Sequence, residues 1–149
     1  MVFKTTGNKS NSVILFFHVM GVTGESSMPV AEKMAEKYYC IMPTSTVYCS
    51  GQRYQSKRDE IQQIVRFLGN HGIKEIELIV ASSIGADLAM AFLTEIKIPV
   101  KHVFLMASSL HRLERQVQVR QLLQKVQIRR TRNRKQMKIR ILQNNFWLI

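Results

Sequence analysis

The run Ile76-Glu77-Leu78-Ile79-Val80-Ala81-Ser82-Ser83-Ile84-Gly85-Ala86-Asp87-Leu88-Ala89 is the most informative in the chain. It begins as a short apolar run of strand formers. From Leu88 the apolar positions Leu88, Ala89, Phe92, Leu93 and Ile96 recur at helical spacing, and Pro99 lies beyond their end. A strand therefore passes into a helix through Ser82-Ser83-Ile84-Gly85 with no room for a longer loop. A residue on so sharp a turn is lifted above the sheet. The residues two before and two after it must be small, because backbone and Cβ atoms crowd there. With Ser83 in that place the flanks are Ala81 and Gly85, both small; with Ser82 they would be Val80 and Ile84, both too bulky. The spacing selects Ser83 as a candidate nucleophile, and the helix start behind it offers free N–H groups to an oxyanion. The alternative is an ordinary strand-to-helix turn in which the serines cap the helix.

Outward from this turn the same grammar repeats. Residues 13–18 (Val-Ile-Leu-Phe-Phe-His) form a continuous apolar run, as expected of a strand buried on both faces of a parallel sheet. Gly21, Gly24, Ser26 and Ser27 follow as a loop, with Ser27 a candidate N-cap and Pro29 in the first turn. Ala31, Met34, Ala35 and Tyr38 have helical period. Residues 38–42 read as a second strand stopped by Pro43, and 43–55 as loop. Ser56-Lys57-Arg58-Asp59 resembles a capping box ahead of Ile61, Ile64, Val65 and Leu68, with Gly69 and Gly72 at the helix end. Residues 101–106 (Lys-His-Val-Phe-Leu-Met) read as a fourth strand. The order β-α-β-α-β-α-β predicts an α/β fold over residues 10–106: a parallel sheet of about four strands with helices on both faces.

Over residues 10–107 the chain resembles the N-terminal half of the α/β-hydrolase family. Residues 13–18 resemble that family's strand ending in His-Gly before the oxyanion-hole loop, with His18 as the landmark. Residues 76–92 resemble its elbow strand and following helix. The resemblance implies Ser83 as nucleophile, with Ala81 and Gly85 as the small elbow positions. It implies the Ile84 N–H as one oxyanion donor, and the N–H of Val19 or Met20 as the second. Where the family usually has Gly after the His, this chain has Val19.

A serine needs a general base, and the base an orienting acid. In the family both follow the nucleophile, acid before His. Downstream of Ser83, Asp87 and Glu95 run away along the elbow helix. His102 begins a strand at the sheet's opposite end. His111 precedes Glu114, the wrong order. No pair fits. The expected function is a serine hydrolase acting on an ester, thioester or related acyl bond of a small molecule, impaired in this chain for want of its acid and His. The alternative is a non-catalytic remnant or interaction protein.

The charge divides at the same point. The chain has 149 residues, a one-domain length, and a net charge of +12. Residues 1–110 hold 11 basic and 9 acidic residues; residues 111–149 hold 11 basic residues and the single acid Glu114. The expected domains are therefore 1–107, a partial hydrolase domain, and 108–149, a basic Gln/Arg-rich tail that is helical or disordered. Leu110, Leu113, Val117 and Val126 can be placed on a helix. The run from Arg129 to Lys135 could attract phosphates or an acidic partner. It lacks interleaved aromatics and any helix-turn-helix or zinc-finger pattern, which weighs against nucleic acid. A frameshift is a further reading of the tail. One codon choice for residues 104–115 places Asp-Gly at the end of the fourth strand in the neighbouring frame.

Other classes are set aside. No stretch approaches the roughly 18–20 apolar residues of a membrane span, and no signal peptide is evident, so a cytoplasmic location is expected. Cys40 and Cys49 are read as reduced thiols. Neither a metal site nor a cofactor is expected. A family fold cut after its fourth strand would leave a sheet edge open, so self-association through that edge is expected.

Overall fold

The structure, a computed structural model, describes residues 1–107 and 138–143. In chain order the elements are β1 (Val2–Thr6), β2 (Ser12–Phe17), α1 (Met28–Met34), β3 (Tyr38–Thr44), α2 (Lys57–Asn70), β4 (Ile76–Ser82), α3 (Ile84–Glu95), β5 (Val100–Ala107) and β6 (Lys138–Gln143). They form one six-stranded sheet in the order β1-β3-β2-β4-β5-β6. β1 runs antiparallel to β3, and all other pairs are parallel. The four strands read from the sequence are β2, β3, β4 and β5, so the α/β class stands.

Successive strand residues point to opposite faces, so an unbroken apolar run feeds two cores. Leu15, Phe17, Ile41 and Ile79 pack on one face against Ile61, Ile64 and Leu68 of α2 and Phe92 of α3. Ile14, Phe16, Cys40 and Met42 pack on the other, against Ala31 of α1. That is why residues 13–17 carry no polar alternation. α2 begins as its sequence suggests, with the Ser56 hydroxyl accepting from the Asp59 N–H at 3.1 Å. It ends with Gly72 in the left-handed region (φ 67°) and the Ile73 N–H bonded back to the Leu68 carbonyl at 3.0 Å.

Some details differ from expectation. α1 ends at Met34, and Tyr38 opens β3. The helical spacing of Tyr38 is overridden by its strand pairing with Ser12 of β2, and Ala35 caps the end of α1. Ser27 stands at the N-cap, but its side chain makes no capping bond. Val65 is exposed rather than part of the buried stripe. Two strands were not read at all. β1 is a mostly exposed edge strand, too short to show a period. β6 lies within the basic tail, where Lys138 and Arg140 mask the alternating Ile139 and Ile141. It pairs with β5, so the edge of β5 is not bare. The helix expected over Leu110 to Val126, the run 129–135, and His111 and Glu114 lie outside the described residues.

The connection from β2 to β3 crosses to one side, and that from β3 to β4 crosses back. The carboxyl ends of β2 and β4 therefore flank a topological switch point, where open parallel sheets bind ligands.

Candidate active site

Ser83 stands alone between the end of β4 at Ser82 and the start of α3 at Ile84. Its backbone has φ 52° and ψ −124°, and it is the only non-glycine with positive φ among the described residues. Such a conformation costs of order 1–3 kcal/mol and persists only where surrounding structure enforces it. The Ser83 N–H donates to the Met106 carbonyl at 2.8 Å, which fixes the turn to the end of β5, and the Ser83 carbonyl accepts from the Ala86 N–H at 2.9 Å. The Ser83 side chain makes no helix-capping bond, unlike the alternative turn in which the serines cap α3. Ala81 is fully buried. A Cβ added to Gly85 would lie 2.5 Å from the carbonyl oxygens of Phe17 and His18, so only glycine lets the start of α3 approach the end of β2 this closely. The small flank at Gly85 thus has a steric cause. By position, the Ile84 N–H is among the first-turn donors of α3 that have no intrahelical acceptor.

Beside this turn lies a cavity of about 430 Å³. Ile84, Gly85 and Leu88 line it from α3, Phe17, His18 and Met20 from the end of β2, Ser45 and Tyr48 from the loop after β3, and Glu60 from α2. Ser83 adjoins it through Ile84 and Gly85 rather than lining it.

His18 has both ring nitrogens engaged. Nδ1 lies 2.8 Å from the Val19 carbonyl, and Nε2 accepts from the Ser45 N–H at 3.1 Å. Those contacts imply the tautomer with the proton on Nδ1. Its ring also meets Tyr48 edge-on at 5.5 Å, and the Tyr48 hydroxyl accepts from the Gly21 N–H at 2.8 Å. His18 and Tyr48 together tie the loop after β2 to the loop after β3. Both nitrogens of the His18 ring are thus engaged by backbone groups of these loops. Met20 is largely exposed at the cavity rim, and Val19 contributes its carbonyl to His18.

Of the downstream acids and His, the structure describes Asp87, Glu95 and His102. Asp87 is in the first turn of α3 and Glu95 is its last residue. His102 lies near the start of β5, exposed, beside Glu77. Lys101 there bonds Glu75 and Glu77, whose carboxylates hold its ammonium above its ordinary pKa. None of these residues lines the cavity. Among the described residues, no group of three or more His, Cys, Asp or Glu could hold a metal ion.

Glu60 was missed by sequence reasoning. It is 1% exposed, and its Oε1 accepts from the Thr46 N–H at 3.0 Å and from the Thr46 hydroxyl. A signal was present: Glu60 precedes Ile64 by four and Leu68 by eight, which places an acid on the buried stripe of α2.

No protein-family model matches the chain, and no curated protein matches it in sequence. Solved structures match it in shape. A protein of the alpha/beta hydrolase family from Desulfitobacterium hafniense aligns with TM-score 0.65 and 15% identity, over 78% of this chain and 49% of its own. An epoxide hydrolase of the alpha/beta hydrolase superfamily from hot-environment metagenomes aligns with TM-score 0.61 and 18% identity, over 70% and 37%. A marine microorganism esterase aligns with TM-score 0.62 and 15% identity, over 70% and 40%. The chain spans half or less of the length of each. It has the α/β-hydrolase fold, present in part. Among the described residues no helix is long and apolar enough to cross a membrane.

Proposed function

We propose that the chain carries the nucleophile half of a serine hydrolase acting on an ester, thioester or related acyl bond of a small molecule. The observation that carries this reading is the backbone of Ser83, a strained serine at the strand-to-helix turn beside a cavity at the switch point. In the proposed step the Ser83 Oγ attacks the acyl carbon. The carbonyl oxygen becomes an oxyanion, received by the N–H of Ile84 and that of Val19 or Met20. The leaving group departs with a proton, and water then releases the acid from the acyl-enzyme.

The proton of Ser83 must go to a base, and no described residue supplies one. We infer that solvent takes it and that turnover is impaired. Enzymes stripped of their triad retain roughly 10³–10⁴-fold catalysis from the oxyanion hole and binding alone, which bounds the expected rate. Labelling with a serine-directed fluorophosphonate tests the reading. The wild-type chain takes up label and Ser83→Ala does not. A folded wild-type chain that takes up none overturns it, and leaves the non-catalytic alternative.

A further inference from the structure

Glu60 is more than an anchor for Thr46. Only its Oε1 is used there. Its Oε2 is buried and has no hydrogen-bond partner, one of two such side-chain atoms among the described residues. A buried carboxylate oxygen without a donor is costly, the more so when the group is charged. Natural structures rarely leave one without a use. Glu60 also lines the cavity beside the elbow.

The rest of that cavity is apolar in character. Of the eight large apolar side chains exposed among the described residues, five line it: Met20, Val47, Tyr48, Tyr54 and Ile84. Exposed apolar groups gathered at one cavity mark a surface that an apolar ligand covers. The two cations that line it do not satisfy Glu60. The Met1 ammonium donates to the side-chain oxygens of Gln52 and Gln63, and Lys57 is exposed.

We infer that this cavity binds a compound with an apolar body and a primary ammonium group, and that Glu60 Oε2 receives the ammonium. The inference deepens the reading of the cavity as the substrate site, and narrows the substrate to an acyl compound bearing an amine. A charge-assisted N–H···O bond is roughly twice as strong as a neutral one, which makes the amine the group that distinguishes the ligand.

The test is calorimetric titration of the whole chain with n-hexylammonium and with n-hexanol, which share one apolar body. Wild-type protein is expected to bind the ammonium about tenfold more tightly than the alcohol. Glu60→Gln keeps an oxygen for Thr46 and removes the charge, so the two probes become equal. Amide shifts in two-dimensional NMR should follow at Ile84 and Gly85. Equal or weaker binding of the ammonium by wild-type protein overturns the inference. So does an unchanged preference in a folded Glu60→Gln. If that variant does not fold, the wild-type pair of probes still decides. Failure here with fluorophosphonate labelling intact removes only the amine. Loss of labelling with the ammonium preference intact removes only the nucleophile.

Discussion

At the scale of single residues, Ser83 and Gly85 are held in place by opposite demands. Ser83 carries a side chain where a glycine would relax the backbone, and Gly85 lacks one where any Cβ would strike the end of β2. Two substitutions separate these roles. Ser83→Gly is expected to stabilise the fold by about 1 kcal/mol, strain relief of roughly 1–3 kcal/mol less the entropy cost of a glycine. It should also abolish fluorophosphonate labelling. Gly85→Ala is expected to destabilise by about 1–3 kcal/mol, because two carbonyls must move. Urea denaturation midpoints measure both. An unstable Ser83→Gly would mean that the turn is not strained in the way its φ indicates. The sharp strand-to-helix turn through Ser83 was legible in the sequence because crowding there restricts residue size at fixed spacing. Glu60 was legible only as an acid on the buried stripe of α2, because its bond to Thr46 depends on a loop after β3 that no local pattern reveals.

At the scale of elements, β2 and β3 were legible because burial on both faces leaves an apolar run that has no other use. The same burial sets the chemistry of the one cysteine they contain. Cys40 in β3 is fully buried, with its Sγ near the Ala31 carbonyl, and burial pushes its thiol up from 9.0 to about 11. Native protein at pH 8 should therefore leave Cys40 unmodified by thiol reagents, whereas protein in urea should react. A sign for stability also follows. Between pH 9 and about 11 the unfolded thiol ionises and the folded one does not, so the unfolded state binds fewer protons and stability falls as pH rises. Below that window Cys40 contributes no slope. Comparing wild type with Cys40→Ala across it isolates the effect, and identical slopes would contradict the burial argument. β1 and β6 were not legible for a related reason. An edge strand needs no unbroken apolar run, so β1 shows no period, and the basic composition around β6 hides its alternation.

At the scale of the whole molecule, the split in charge and the pairing of the sheet pull against each other. By composition the chain divides near residue 107 into a nearly neutral part and a strongly basic one. By topology it does not divide there, because β6 extends the parallel order on β5 from His102 opposite Lys138 to Ala107 opposite Gln143. The division into a domain and a tail, and the frame-derived origin of that tail, are proposals, the second for the gene sequence to test. β5 is flanked on its other side by β4, so without β6 it would present a row of unpaired N–H and C=O groups, and such edges recruit other chains. A chain ending at residue 107 is accordingly expected to associate with rising concentration, and to melt at a lower temperature than the full chain. Sedimentation velocity over a concentration series reads the first, and thermal unfolding the second. If the shortened chain stays monomeric with an unchanged melting temperature, β6 contributes nothing to the sheet, and the charge boundary is also the boundary of the folded unit.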